Sequence, residues 1–277
     1  MEANGLRLHL LDWGGEGQPI LCIHATGFLA ALWHPVARTL ASRARVLALD
    51  LRGHGDSDPG DTYWWSVFPD DVASVLTALE LEPAVLVGHS VGGAAAALCA
   101  ARHPDLVKGL VLVDPVILPE PAYSHAERAE DSDLFQGARR RRRAWPSREA
   151  MRQSLGGKLP FVRWRPEVFD LYVQEAVRSS SDGQVVLKCS PETEATIYAE
   201  TLRFNLWPEI VHARVPAIVL RGLAEQGVPS TTAQDLAQLL PTAEDRPVTT
   251  ASHLIPMEAP EEVIAAVQVL LERLATT

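Results

Sequence analysis

One stretch constrains the fold of this chain more than any other. The apolar run Ala84 to Val87 leads into Gly88-His89-Ser90-Val91-Gly92-Gly93, and an alanine-rich segment follows to about Arg102. The run is short and lacks polar alternation, so it reads as a strand buried on both faces, and the segment after it reads as a helix. The strand-to-helix turn at Ser90 is tight, and the small residues at 88, 92 and 93 let neighbouring elements approach. A doubly buried strand that hands directly to a helix belongs in a sheet covered on both sides, which makes the chain α/β.

The same rhythm extends in both directions. Residues 5–12 read as a strand, Gly14-Gly15-Glu16-Gly17 as a turn, Pro19 to His24 as a second strand, and Arg45 to Asp50 as a third. Helical spacing marks 33–42 and 69–81, and a further strand runs from Gly109 to Val113. The pattern resumes with a strand from Pro216 to Arg221, a helix near 231–240, a weak strand near 245–250 and a periodic helix from Pro260 to Leu274. Between the two parts, residues 116–208 are richer in Pro, Arg, Trp and Ser and read as several helices without β-type runs. The expected architecture is a mostly parallel central sheet flanked by helices, built from 1–115 and 209–277, with 116–208 as a helical insertion.

Composition narrows the partners. The 277 residues carry a formal charge of −10, from 35 acidic against 25 basic side chains, which argues against nucleic acid or an anionic membrane. A small-molecule substrate is the expected partner. Cys22, Cys99 and Cys189 are too few and too scattered for a disulfide framework or zinc knuckle, and the first two read as core fillers. The histidines at 24, 34, 54, 89 and 253 lack the i, i+4 pairing of a zinc helix, so no metal or other cofactor is expected. Arg52-Gly53-His54-Gly55 lacks the lysine and spacing of a phosphate loop. The start, Met-Glu-Ala-Asn-Gly, has no basic and apolar leader, and no run approaches the roughly 18 apolar residues of a spanning helix. A cytoplasmic location is the default expectation.

Three segments carry chemistry. Gly88-x-Ser90-x-Gly92, after a strand and opening a helix, fits a nucleophile elbow, in which the helix N-terminus favours developing negative charge; a plain N-cap serine is the structural alternative. Ile23-His24-Ala25-Thr26-Gly27-Phe28 ends a core strand where an oxyanion loop is expected, with Thr26 and Val91 N–H as the two donors; His24 reads as structural. Ala251-Ser252-His253 lies in the loop before the last helix, where a general base reaches back to Ser90. The arginines from 139 to 143 read mainly as a solvated face, the sharper alternative being that one enters the pocket to hold a carboxylate. Tryptophans 64, 65, 145, 164 and 207 would either line an apolar pocket or pack insertion against core.

The segments Leu49 to Ser57 (Leu-Asp-Leu-Arg-Gly-His-Gly-Asp-Ser), Val87 to Gly93 and His253-Leu254-Ile255-Pro256-Met257-Glu258 together closely resemble the α/β-hydrolase superfamily. The resemblance covers nearly the whole chain outside the insertion, which is similar to that superfamily's helical cap. It implies an α/β-hydrolase fold with a Ser-acid-His triad beneath the cap. Two acids are candidates: Glu225, in the slot where the family usually carries aspartate, and Asp114, at the alternative acid position of some relatives. Asp114 is narrowly preferred. Ala25 and Ser252 replace glycines common in relatives. The implied activity is cleavage of an ester-like bond in a small, mainly apolar substrate. Lactonase, thioesterase, carbon–carbon bond hydrolase or perhydrolase activity on the same triad are the alternatives, and a slow-turnover ligand-binding receptor is a reading from another class.

Overall fold

A computed structural model describes residues 1–81, 83–223 and 231–276. In chain order, the hairpin β1 (Glu2–Ala3) and β2 (Leu6–Arg7) precedes β3 (Leu10–Asp12), β4 (Pro19–Ile23), α1 (His34–Leu40), β5 (Arg45–Leu49) and α2 (Phe68–Ala78). Next come β6 (Ala84–His89), α3 (Val91–Arg102) and β7 (Val107–Val113). Then follow α4 (Asp133–Arg139), β8 (Ala144–Trp145), α5 (Arg148–Leu155), α6 (Pro166–Glu175), β9 (Val177–Ser179), β10 (Val185–Leu187), α7 (Pro191–Glu200) and α8 (Trp207–Ile210). The chain closes with β11 (Ala217–Gly222), α9 (Thr231–Leu239), β12 (Ala243–Val248), α10 (Ile255–Glu258) and α11 (Pro260–Ala275).

Seven strands form one sheet in the order β12-β11-β7-β6-β4-β5-β3, parallel throughout except for β3 at the edge. The period of two along β4 sorts its side chains between two cores. Leu21 and Ile23 pack with α2 and α3, whereas Ile20 and Cys22 pack with α1 and α11. Cys22 and Cys99 are wholly buried among these apolar groups, as core fillers would be. Both faces are covered, as the unalternating strands require.

Strand order reverses between β4 and β6: the chain steps outward from β4 to β5, then returns to the other side for β6 and β7. In open α/β sheets such a reversal opens a crevice at the carboxyl ends of the strands. The two loops that diverge there are 24–28, after β4, and the turn at Ser90, after β6.

Two expectations need correction, and one left with two alternatives divides. Residues 5–12 are not one strand, because Leu8 N–H is taken by Met1 and His9 N–H by the Ser57 hydroxyl at 2.8 Å, so the chain changes sheets at this point. The insertion is not purely helical: β8, β10 and β9 form a three-stranded antiparallel sheet. Those strands are two or three residues long, too short for any periodicity to show. Of the five singled-out tryptophans, Trp65 alone lines the cavity described below; Trp145, Trp164 and Trp207 are packed, and Trp64 is exposed.

Candidate active site

The Ser90 turn is as tight as its sequence demands. Ser90 has φ 57° and ψ −118°, a left-handed conformation that a non-glycine residue holds only when its surroundings impose it. Its N–H donates to Val113 O at 3.1 Å and its carbonyl accepts from Ala94 N–H, so β7 and α3 both pin the turn. The flanking glycines are steric requirements. A Cβ at Gly88 would stand 2.2 Å from Gly92 O, and one at Gly92 would stand 2.4 Å from Ile23 O. Val91 opens α3 immediately after Ser90, so its N–H is among the unpaired first-turn donors.

His253 lies in the loop between β12 and α10, its side chain 14% exposed. Its Nδ1 is 2.7 Å from Oδ2 of Asp114, which is 2% exposed at the end of β7. Asp114 also has a left-handed backbone, φ 43°, and its N–H donates to Leu220 O at 2.8 Å. The bend thus directs its carboxylate along the sheet edge toward β11 and the histidine loop. Glu225 lies outside the described residues.

The histidine loop is held from two further sides. His89 donates from Nε2 to His253 O at 2.8 Å, which orients the backbone of the base. Glu258, on α10, accepts from Ser252 N–H at 2.9 Å and from its hydroxyl at 2.7 Å, and pairs with Arg163 at 3.2 Å. Sequence reasoning assigned no role to His89 or Glu258, although both lie within the motifs it singled out.

Two buried histidines shape the loop after β4. His24 Nε2 accepts from Leu51 N–H at 3.0 Å while its Nδ1 faces Ala25 O at 2.8 Å. His54 Nε2 accepts from Gly27 N–H at 3.0 Å while its Nδ1 faces Arg52 O. A ring nitrogen that accepts an N–H cannot carry a proton, so both rings are neutral with the proton on Nδ1. Burial lowers the pKa of each, that of His54 to about 3. Burial also holds His89 well below the usual histidine range. The Asp50 to Ser57 segment is structural in the same sense: Asp50 accepts from Ala30 N–H at 2.7 Å, and Arg52 pairs with buried Asp71 through two bonds of 2.6 Å. His9, Asp50 and Asp56 converge closely enough to suggest a metal, but His9 pairs with Asp50 and Asp56 with Lys188.

Ser90, His253, Ala25 and Thr26 all line a cavity of about 770 Å³. Phe28, Trp65, Val116, Leu118, Phe161 and Leu202 make most of the remaining wall apolar. The arginine run divides here. Arg139, Arg140, Arg142 and Arg143 are exposed, whereas Arg141 turns inward to the cavity, where its guanidinium meets the Glu194 carboxylate and the Tyr172 hydroxyl.

A carboxylate-bound imidazole and a serine on a strained turn, both lining one cavity, are the parts that nucleophilic acyl transfer requires. A family model described as the alpha/beta hydrolase fold matches residues 18–260. The chain is 27% identical over 257 residues to a 2-(acetamidomethylene)succinate hydrolase from Mesorhizobium japonicum, covering 91% of this chain and 87% of that protein. A 2-hydroxymuconate semialdehyde hydrolase from a Pseudomonas species is 43% identical over 116 residues, 40% of this chain and 41% of that one. Among solved structures, that of an E-2-(acetamidomethylene)succinate hydrolase superposes with a TM-score of 0.79 at 25% identity, covering 97% of this chain and 96% of the other.

Proposed function

Because the chain belongs to the alpha/beta hydrolase family, matched from residue 18 to 260, we propose that it is a serine hydrolase that cleaves an ester-like bond. The observation that carries the reading is the 2.7 Å bond from His253 to Asp114 on the wall of the cavity that Ser90 shares. His253 takes the proton of Ser90 as the hydroxyl attacks the carbonyl carbon. Thr26 and Val91 N–H groups hold the oxyanion, and Asp114 keeps the imidazole in its Nδ1–H tautomer and stabilises the cation that forms. The protonated His253 then gives its proton to the leaving group. Water, deprotonated by the same base, releases the acyl group.

Residues 116–208 act as a cap over a core of 1–115 and 209–277. The cavity between them favours a small, largely apolar substrate. A second reading keeps the same triad for another hydrolysis, because the relatives are named for succinate and semialdehyde substrates and not for simple esters.

The test is hydrolysis of a short-chain p-nitrophenyl ester. A burst of p-nitrophenol and labelling of Ser90 by a fluorophosphonate are expected, and Ser90→Ala is expected to lower kcat by roughly 10⁴-fold or more. No labelling and no turnover would sink the enzyme reading in favour of a binding protein. Activity that survives Ser90→Ala would sink the assignment of the nucleophile.

A further inference from the structure

Most of the cavity wall is apolar, and among its described lining residues Arg141 and Glu194 are the basic and acidic side chains besides the His253 imidazole. They face each other. Arg141 Nη1 donates to Glu194 Oε2 and Nη2 donates to the Tyr172 hydroxyl, which uses two of the five guanidinium N–H donors. Glu194 is 7% exposed and Tyr172 is fully buried. The pair sits against the loop that carries Thr26: a methyl group on Gly27 would lie 2.9 Å from Glu194 Oε1 and 3.1 Å from Arg141 Nη1. Whatever part of a substrate extends toward α7 from the carbonyl that Ser90 attacks meets this pair.

We infer that Glu194 determines specificity by neutralising Arg141, so that the site accepts substrates uncharged at this point and disfavours those bearing a carboxylate there. The inference rests on the hydrolase reading above. An inward arginine within an apolar wall is a ready carboxylate receptor, because its planar fork matches two oxygens at once. Glu194 already occupies that fork. A substrate carboxylate would have to displace it or lie beside it, leaving two anions to share one cation in a poorly solvated wall. An uncharged ester, amide or hydroxyl meets no such penalty and can accept from an unused guanidinium N–H.

The experiment compares two p-nitrophenyl esters of equal length, a butyrate and a hemisuccinate, the second carrying a terminal carboxylate. The parent enzyme is expected to prefer the uncharged ester by at least tenfold in kcat/KM. Glu194→Gln keeps the shape of the side chain, removes its charge and frees Arg141. The preference is then expected to move at least tenfold toward the hemisuccinate, mainly through KM. The double variant Glu194→Gln with Arg141→Gln restores a neutral wall, and with it the parent preference. Succinate binding, followed by the change in intrinsic tryptophan fluorescence, to which Trp65 on the cavity wall contributes, gives a readout independent of turnover. A saturable change is expected in Glu194→Gln, with binding at least tenfold weaker in the parent.

A parent that prefers the hemisuccinate, or a folded Glu194→Gln that changes neither preference nor succinate binding, overturns the inference. If Glu194→Gln does not fold, the parent still decides it, since a preference for the hemisuccinate or tight saturable binding of succinate by the parent overturns the inference. Failure of the hydrolase reading is distinguishable, since it would abolish turnover of both esters and fluorophosphonate labelling while leaving the succinate titration to test Glu194.

Discussion

At the scale of single residues, the site rests on two side chains whose backbones are both strained. Ser90 and Asp114 have positive φ, and each is fixed by hydrogen bonds to strand carbonyls. If Asp114 orients the base, Asp114→Asn removes the charge and favours the wrong imidazole tautomer with little change in shape. It is expected to lower kcat by about 10⁴-fold with the melting temperature largely kept, whereas Glu225→Gln is expected to leave kcat within a few-fold. Steady-state kinetics on the two variants decide between the acids that the sequence left open. The buried histidines carry a second expectation, on stability. His24, His54 and His89 have lowered pKa values because burial disfavours their charged forms. The unfolded chain therefore binds more protons than the native state between about pH 6.5 and the lowered values, and stability falls as pH drops through that window. His9, raised by its bond to Asp50, works in the opposite sense. With three groups against one, the melting temperature is expected to fall from pH 7 to pH 5. His54→Gln, which retains an acceptor for Gly27 N–H, should flatten that slope.

At the scale of elements, what was legible in the sequence is what sterics dictate. The doubly buried strands and the glycine-flanked turn show in the local order of residues, and the structure gives the reason: a Cβ at Gly92 would stand 2.4 Å from Ile23 O, so only a glycine lets α3 pass β4 so closely. Gly92→Ala is accordingly expected to prevent folding or to lower the melting temperature sharply, measured by thermal unfolding. What escaped was set by contacts distant in sequence. β8, β9 and β10 are too short to show a period. The role of α10 depends on the Glu258 carboxylate, which collects Ser252 N–H, the Ser252 hydroxyl and Arg163 and so holds the loop that carries His253. Glu258→Ala would strand two buried donors at about 1–3 kcal/mol each. Its expected signature is a lowered melting temperature together with a fall in kcat larger than any change in KM.

At the scale of the whole molecule, the site is a joint between two parts of the chain. The sheet supplies Ser90 at the strand-order reversal and Asp114 and His253 from the carboxyl ends of β7 and β12; the alternation of strands and helices implied the parallel sheet, not where its order reverses. The segment 116–208 supplies the far wall, and its arrangement was least legible because it depends on where buried polar tips find partners. Trp65 Nε1 donates to Ile197 O at 3.0 Å, and Trp207 Nε1 donates to Leu118 O at 2.7 Å. Neither pair shares a local pattern. The cavity at this joint, about 770 Å³ and mostly apolar, sets the final expectation. Each methylene of an acyl chain that leaves water for this wall contributes at most about 0.8 kcal/mol, or roughly fourfold in kcat/KM. Along a series of p-nitrophenyl esters from acetate upward, kcat/KM is therefore expected to rise by roughly two- to fourfold per methylene and then to level off or fall as the wall is reached. Leu202→Trp fills part of that space without touching the triad. It should move the break to shorter chains while leaving acetate hydrolysis within about twofold. A series without a break, or a break that Leu202→Trp does not move, would place the acyl chain elsewhere.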